Sequence, residues 1–201
     1  VRAGAALLAA EGVAHVVAPC EADAQLAHLA LAGAVDVCAT DDVDLLAFGC
    51  PRVVFGLGAG GQCREIRLED LGRSRGVAPL RLTPELLPDL CALSGCDYLP
   101  ALPRMGLGTA ARLLHRSRGD VRRALLLARR EGTAVPDGYA QRLEEARAVY
   151  LHQLIRDHGD GTIRTLRPLP EGARVRLELL GPVPLAEAGA VAAGGEVAGA
   201  A

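Results

Sequence analysis

The 201-residue sequence has no tryptophan, lysine or asparagine, and its aromatic complement is two phenylalanines and three tyrosines. So few rings exclude nucleic-acid affinity built on base-stacking platforms. No run of ~18 apolar residues occurs, which argues against a membrane-spanning helix. The six cysteines (20, 38, 50, 63, 91 and 96) form no Cys-x-x-Cys pair, so a zinc module of paired cysteines has little support. The apolar surroundings of Cys38 and Cys91 instead predict buried, reduced thiols, as in a cytosolic or nuclear compartment. All 22 basic residues are arginine, a bias that reads as GC-rich coding. The five histidines, 15, 28, 115, 152 and 158, are scattered and read as helix or surface residues.

Half of the residues are hydrophobic, chiefly Ala, Leu and Val, enough for a real core at this length. Net charge is −2, but its distribution says more. Residues 1–50 hold seven acids against Arg2, and residues 104–130 hold eight arginines against Asp120. An acidic cation site beside a basic phosphate-binding surface is the polarity a nuclease needs.

Five carboxylates in three separated segments carry the chemistry: Glu21 and Asp23 in APCEADAQLAHLALAG (18–33), Asp42 and Asp44 in ATDDVDLLAFG (39–49), and Asp97 in LSGCDYLP (93–100). The first segment reads as a turn at Pro19 entering a helix, with Leu26, Leu29 and Ala30 at helical spacing and Gly33 as a stop. The second reads as a strand, Val35 to Ala39, with the acids beyond its carboxyl end, where an extended backbone points residues 42 and 44 to one side. That is where open α/β sheets bind ligands. Acids that would repel one another imply a divalent cation, and Mg²⁺ prefers hard oxygens. Each acid alone has a plainer reading: helix-dipole residues for Glu21 and Asp23, a solvated turn for Asp41, Asp42 and Asp44, and a loop acid for Asp97.

Order and wording decide among these readings. EADAQ, TDDVDLLAFG, LSGCDYLP and MGLGTAARLL, in that order from about Ala5 to about Pro170, resemble the internal nuclease and helix-two-turn-helix regions of the flap endonuclease (XPG-type) 5′ nuclease family. DLLAFG, LSGCDYLP and YAQRLEEARAVYLHQLIRD resemble its exonuclease 1 branch most. The resemblance implies that Glu21, Asp23, Asp42, Asp44 and Asp97 are catalytic metal ligands for two Mg²⁺ ions in the complete enzyme, with Mn²⁺ as a substitute. Asp41 falls where the family has a noncatalytic Glu.

The resemblance also implies a nuclear enzyme of DNA repair and recombination acting on DNA 5′ ends, flaps and duplex backbone independently of sequence. Arg104, Gly106, Gly108 and Arg112 would meet that backbone. The sequence departs from the family at Cys20 (usually Tyr), Val43 (a small polar residue), Thr109 (Lys in some relatives) and Arg104, which takes the first glycine position of Gly-Ile-Gly.

The expected fold class is α/β, a partial PIN-like sheet domain followed by a helical helix-two-turn-helix region. Residues 1–82 read as helix, strand Val13 to Val17, helix, strand Val35 to Ala39, strand Arg52 to Phe55 and a glycine-rich excursion, Gly56 to Gly61. Residues 83–155 read as helical, with Thr83 as cap and Pro84 at the first position. Residues 156–201 read as a C-terminal extension, partly disordered where Gly, Ala and Pro dominate. The resemblance implies that a first strand, further metal-binding aspartates and a basic helical arch lie outside these residues, so that the chain is the C-terminal part of a nuclease core. Two other classes compete with this reading. A HAD-type phosphatase also uses Asp-x-Asp after a strand, but its second-motif hydroxyl would fall at Leu46 and the motif would lie near the start of the domain. A non-catalytic DNA-binding remnant of the family is the second.

Overall fold

A computed structural model describes residues 2–73, 82–170 and 177–181. Helix α1 (Arg2–Ala10) opens the chain, and α2 (Ala22–Leu31) follows with Ala24, Gln25, Ala27, His28 and Ala30 on one buried face. Their i, i+3, i+4 spacing makes that face, and its alanines let neighbouring backbone approach closely. Strand β1 (Cys38–Ala39) leads through α3 (Asp44–Ala47) to β2 (Arg52–Phe55), which lies parallel to it with Cys38 opposite Val53. Strand β3 (Arg64–Arg67) pairs antiparallel with β2, Val53 facing Ile66.

Two 3₁₀ segments, Leu68–Arg73 and Pro84–Leu86, precede α4 (Leu87–Ser94). The helical region continues with α5 (Leu107–Ser117), α6 (Val121–Arg130) and α7 (Tyr139–His152). Asp120 starts α6 by accepting the Arg123 N–H at 2.9 Å, a side-chain cap worth ~1 kcal/mol. A hairpin of β4 (Leu154–Arg156) and β5 (Ile163–Thr165) and a one-turn α8 (Leu177–Leu180) complete the described chain.

The architecture is mixed helix and sheet, as expected, but the strands differ in detail. Val13 to Val17 is not a strand: Val13, Val16 and Val17 are each 49% exposed. An extended apolar segment becomes a strand only when a neighbour satisfies its backbone groups, and no described strand pairs with it. For the same reason the expected strand Val35 to Ala39 shrinks to its last two residues, where β2 supplies the ladder. Arg52 to Phe55 is a strand as expected. Neither β3, whose Arg and Glu side chains hide its period, nor the β4–β5 hairpin shows in the sequence pattern. Thr83 and Pro84 do start a helical segment, but as one 3₁₀ turn without a side-chain cap.

A boundary at 156 would cut through β4, and the hairpin after it packs on the body with Ile163 buried. The glycine- and alanine-rich end lies outside the described residues. One buried cluster runs from Ala24 through Phe48, Leu93 and Leu114 to Tyr150 and Ile155, so sheet and helical regions share a core. Three of the five Phe and Tyr rings stack edge-to-face inside it, Phe48 on Tyr150 at 5.2 Å and Tyr98 on Tyr150 at 5.4 Å. Each such pair contributes ~0.5–1.5 kcal/mol beyond its area. Gln25 docks the hairpin on α2: its amide donates to the Arg156 carbonyl and accepts the Arg156 N–H, both at 2.8 Å.

Candidate functional site

Glu21 is the residue before α2, with extended backbone, and Asp23 lies in the helix's first turn. Asp42 and Asp44 are not in extended chain. The backbone turns at once into α3, Val43 being already helical, and Asp42 Oδ1 accepts the Asp44 N–H at 2.9 Å while the Asp42 N–H donates to Thr40 Oγ1 at 3.0 Å. A short-range side-chain bond of this kind lets aspartate override strand geometry. Asp97 sits in a tight turn closed by two backbone bonds between Cys96 and Leu99. Gly95 precedes it with φ +103°, and a Cβ there would lie 2.9 Å from that of Ala101. Only glycine fits that entry.

The fold brings acids of the three segments near one another, with Asp23 and Asp44 each feeling several of the others. Burial first, then repulsion from Asp42, Glu21 and Asp44, pushes the Asp23 carboxyl up to about 6. Asp44 is raised too, by burial and by Asp42, Asp97 and Glu21, against the opposing hydrogen bond from Tyr150. Among the described residues no ion pair reaches any of the five. Neutral donors take that place: the Tyr98 hydroxyl donates to Glu21, Gln153 Nε2 donates to the same Glu21 oxygen at 3.3 Å, and the Tyr150 hydroxyl donates to Asp44 Oδ2 at 2.9 Å. Sequence reasoning misses these three. Tyr98 has a signal, since it follows Asp97 directly, whereas Tyr150 and Gln153 are brought in by α7. The Asp41 Oδ1 accepts the Gly56 N–H at 2.9 Å.

Hard oxygens without cationic partners fit Mg²⁺. The arrangement is open: among the described residues, no three of these acids bring their oxygens within 4.8 Å of one another. Such a set suits an ion that completes its shell with water and phosphate oxygens.

Arg104, Gly106, Gly108 and Arg112 are all exposed around the start of α5, whose first N–H groups have no side-chain cap. Arg104 adopts φ +62°. The turn therefore keeps the left-handed geometry a glycine would permit, with arginine in it. Arg112 is not free: both its terminal nitrogens donate to Glu131, at 2.9 and 2.7 Å, and Arg116 pairs with the same carboxylate, holding it down at about 2. Arg122 pairs with Glu144 at 2.8 Å. The basic stretch is thus partly neutralised from within.

Residues 12–97 match the XPG I-region. Exonuclease 1 from Oryza sativa subsp. japonica is 35% identical over 176 residues, 88% of this chain and 21% of that protein. Flap endonuclease 1 from Aspergillus terreus is 32% identical over 77% of this chain and 39% of its own length. The chain belongs to the XPG-type 5′ nuclease family. Among solved structures, flap endonuclease-1 from Methanococcus jannaschii superposes with a TM-score of 0.54 at 27% identity, covering 72% of this chain and 41% of that one. Family membership removes the HAD-type phosphatase reading. The chain spans about a fifth of the length of the exonuclease 1 relatives it matches. Among the described residues no helix is long and apolar enough to cross a membrane.

Proposed function

We propose that this chain contributes to a Mg²⁺-dependent, structure-specific 5′ nuclease that acts on DNA 5′ ends and flaps, in the nucleus, during repair and recombination. What supports the reading is that Asp23 feels Asp42, Glu21 and Asp44, and Asp44 feels Asp42, Asp97 and Glu21, acids from three segments with no ion pair among the described residues. Its kinship with exonuclease 1 and flap endonuclease proteins of eukaryotes supports the substrate class and the location.

In this reading the five carboxylates hold the metal, and Tyr98, Gln153 and Tyr150 fix the directions in which Glu21 and Asp44 present their free lone pairs. Bound Mg²⁺ supplies Lewis-acid polarisation of the scissile phosphate and a more acidic water. Asp23, raised to about 6 by burial and then by its neighbours' charges, would be favoured in its charged form by a bound cation. Arg104, the α5 N-terminus with Gly106 and Gly108, and Arg112 hold the duplex backbone and read no bases. They would set the position of the 5′ strand over the acids.

The test is cleavage of a 5′-flap substrate and of a duplex with a recessed 5′ end in Mg²⁺, comparing wild type with Asp97→Ala and with the Asp42→Asn, Asp44→Asn pair. Loss of cleavage and of Mg²⁺-induced thermal stabilisation in both variants is expected. Equal cleavage by wild type and Asp97→Ala would remove the reading. A second reading, a non-catalytic DNA-binding remnant, is favoured by Arg104 in the hairpin and by the looseness of the acid cluster. It predicts salt-sensitive duplex binding with no cleavage by any form.

A further inference from the structure

At the opposite end of α2 from Glu21 and Asp23, a second group of potential ligands comes together. His28 lies in the last turn of the helix, and Asp157 and His158 follow β4 in the hairpin connection. Their ligand atoms all fall within 4.8 Å of one another, the one such trio among the described residues. Nothing in the sequence announces it, because the two parts lie far apart along the chain.

Two features distinguish this group from a chance cluster. His28 is 6% exposed, and its Nε2 is buried with no hydrogen-bond partner. A buried imidazole nitrogen normally finds a partner. Asp157 Oδ2 is 3.7 Å away, too long for a hydrogen bond but close to the ~3.3 Å that separates two ligands bonded at ~2.0–2.1 Å to one tetrahedral ion. Asp157, 7% exposed, is also held in place: its Oδ1 accepts the Gly159 N–H at 2.8 Å and the Asp160 N–H at 3.3 Å, turning Oδ2 toward the histidine. A Cβ at residue 159 would come within 3.1 Å of that Oδ1. His158 closes the exposed side, beside a cavity of about 710 Å³ that it lines with His15, Pro19, Asp157 and Gly161. Water can reach a fourth position from there.

We propose that His28, Asp157 and His158 form a binding site for a divalent transition ion of the Zn²⁺ class, completed by solvent and separate from the carboxylate site. Two imidazoles with one carboxylate suit zinc, whereas the all-carboxylate cluster suits magnesium. The ion would clip the β4–β5 hairpin to α2 in addition to the Gln25 bonds. One group opposes it. Arg164 pairs with Asp157 Oδ2, so binding must displace its guanidinium. That side chain is 57% exposed and long enough to turn into solvent.

The experiment titrates the 201-residue chain with Co²⁺, and with Zn²⁺ in competition, in excess Mg²⁺ so that the hard site is occupied. One Co²⁺ per chain is expected, with visible d–d absorption of tetrahedral type, no thiolate charge-transfer band, and displacement by Zn²⁺. His28→Gln and the exposed His158→Ala should each raise Kd by at least ~10-fold. Arg164→Gln should lower it. His158→Ala removes no buried group, so its fold is safe to compare. Absence of binding in the wild type, binding that survives both histidine substitutions, or a charge-transfer band lost in Cys63→Ser would each overturn the proposal. None of these outcomes bears on the nuclease reading.

Discussion

The Tyr150 hydroxyl donates to Asp44 Oδ2 at 2.9 Å, tying the end of α7 to the first turn of α3 across 106 positions of sequence. Its ring is fully buried against Phe48 and Tyr98. The phenol therefore cannot move away from the carboxylate, and it lowers the Asp44 pKa where burial and three neighbouring acids raise it. Tyr150→Phe keeps the ring packing and removes one hydrogen bond to a charged group, a loss of ~1.5 kcal/mol. The variant should melt a few degrees lower. With the donor gone Asp44 protonates at higher pH, so the acid limb of Mg²⁺ binding should shift upward. Calorimetry and metal titration across pH check both.

Asp23 gives a pH signature of known sign. Its folded pKa of about 6 lies above the ordinary 3.8, so between those values the folded chain binds more protons than the unfolded one. Its contribution to stability is most favourable below pH ~4 and is lost as pH rises to about 6. His28 and His152, both lowered by burial, act in the opposite direction. The test is therefore a difference: the stability of metal-free wild type relative to Asp23→Asn should fall between about pH 4 and pH 6. Mg²⁺ should restore it above that range. A flat difference would mean that neither burial nor the neighbouring acids raise the Asp23 carboxyl.

Glu131 holds both Arg112 and Arg116, so under the proposed function it masks part of the basic surface that would meet DNA. Exposed pairs of this kind contribute little to stability, so Glu131→Gln should leave the melting temperature nearly unchanged. It should raise duplex affinity and steepen the dependence of log K on log salt by ~0.9 for each further phosphate that the released arginines neutralise. Fluorescence anisotropy at several salt concentrations measures the slope. An unchanged slope would show that Arg112 and Arg116 do not face the backbone.

Arg104 holds a left-handed backbone conformation, φ +62°, which is unfavourable for a side chain with a Cβ by ~1–2 kcal/mol. Arg104→Gly should raise the melting temperature by ~2–8 °C. The same change removes a cation, so DNA affinity should fall at low salt while stability rises. A melting temperature that drops would show that the Arg104 side chain makes interactions outweighing the strain.

What the sequence determined alone was local: the helix entered after Pro19, the strand at Arg52 to Phe55, and the succession of helices after residue 83. Each rests on spacing within a short stretch of chain, where periodicity and turn chemistry dominate. It could not tell that Val13 to Val17 stays outside the sheet, because a strand exists only with a partner, and partners are chosen far along the chain. It could not tell that Asp42 and Asp44 flank a turn, because one side-chain hydrogen bond to the Asp44 N–H outweighs strand propensity. Nor could it find Tyr150 over Asp44, Glu131 over two arginines, or His28 beside Asp157 and His158. These pairings are fixed by the packing of α2, α5 and α7 and of the β4–β5 hairpin around one core, and the burial that orders that core also supplies the low-dielectric surroundings that shift Asp23 and Asp44.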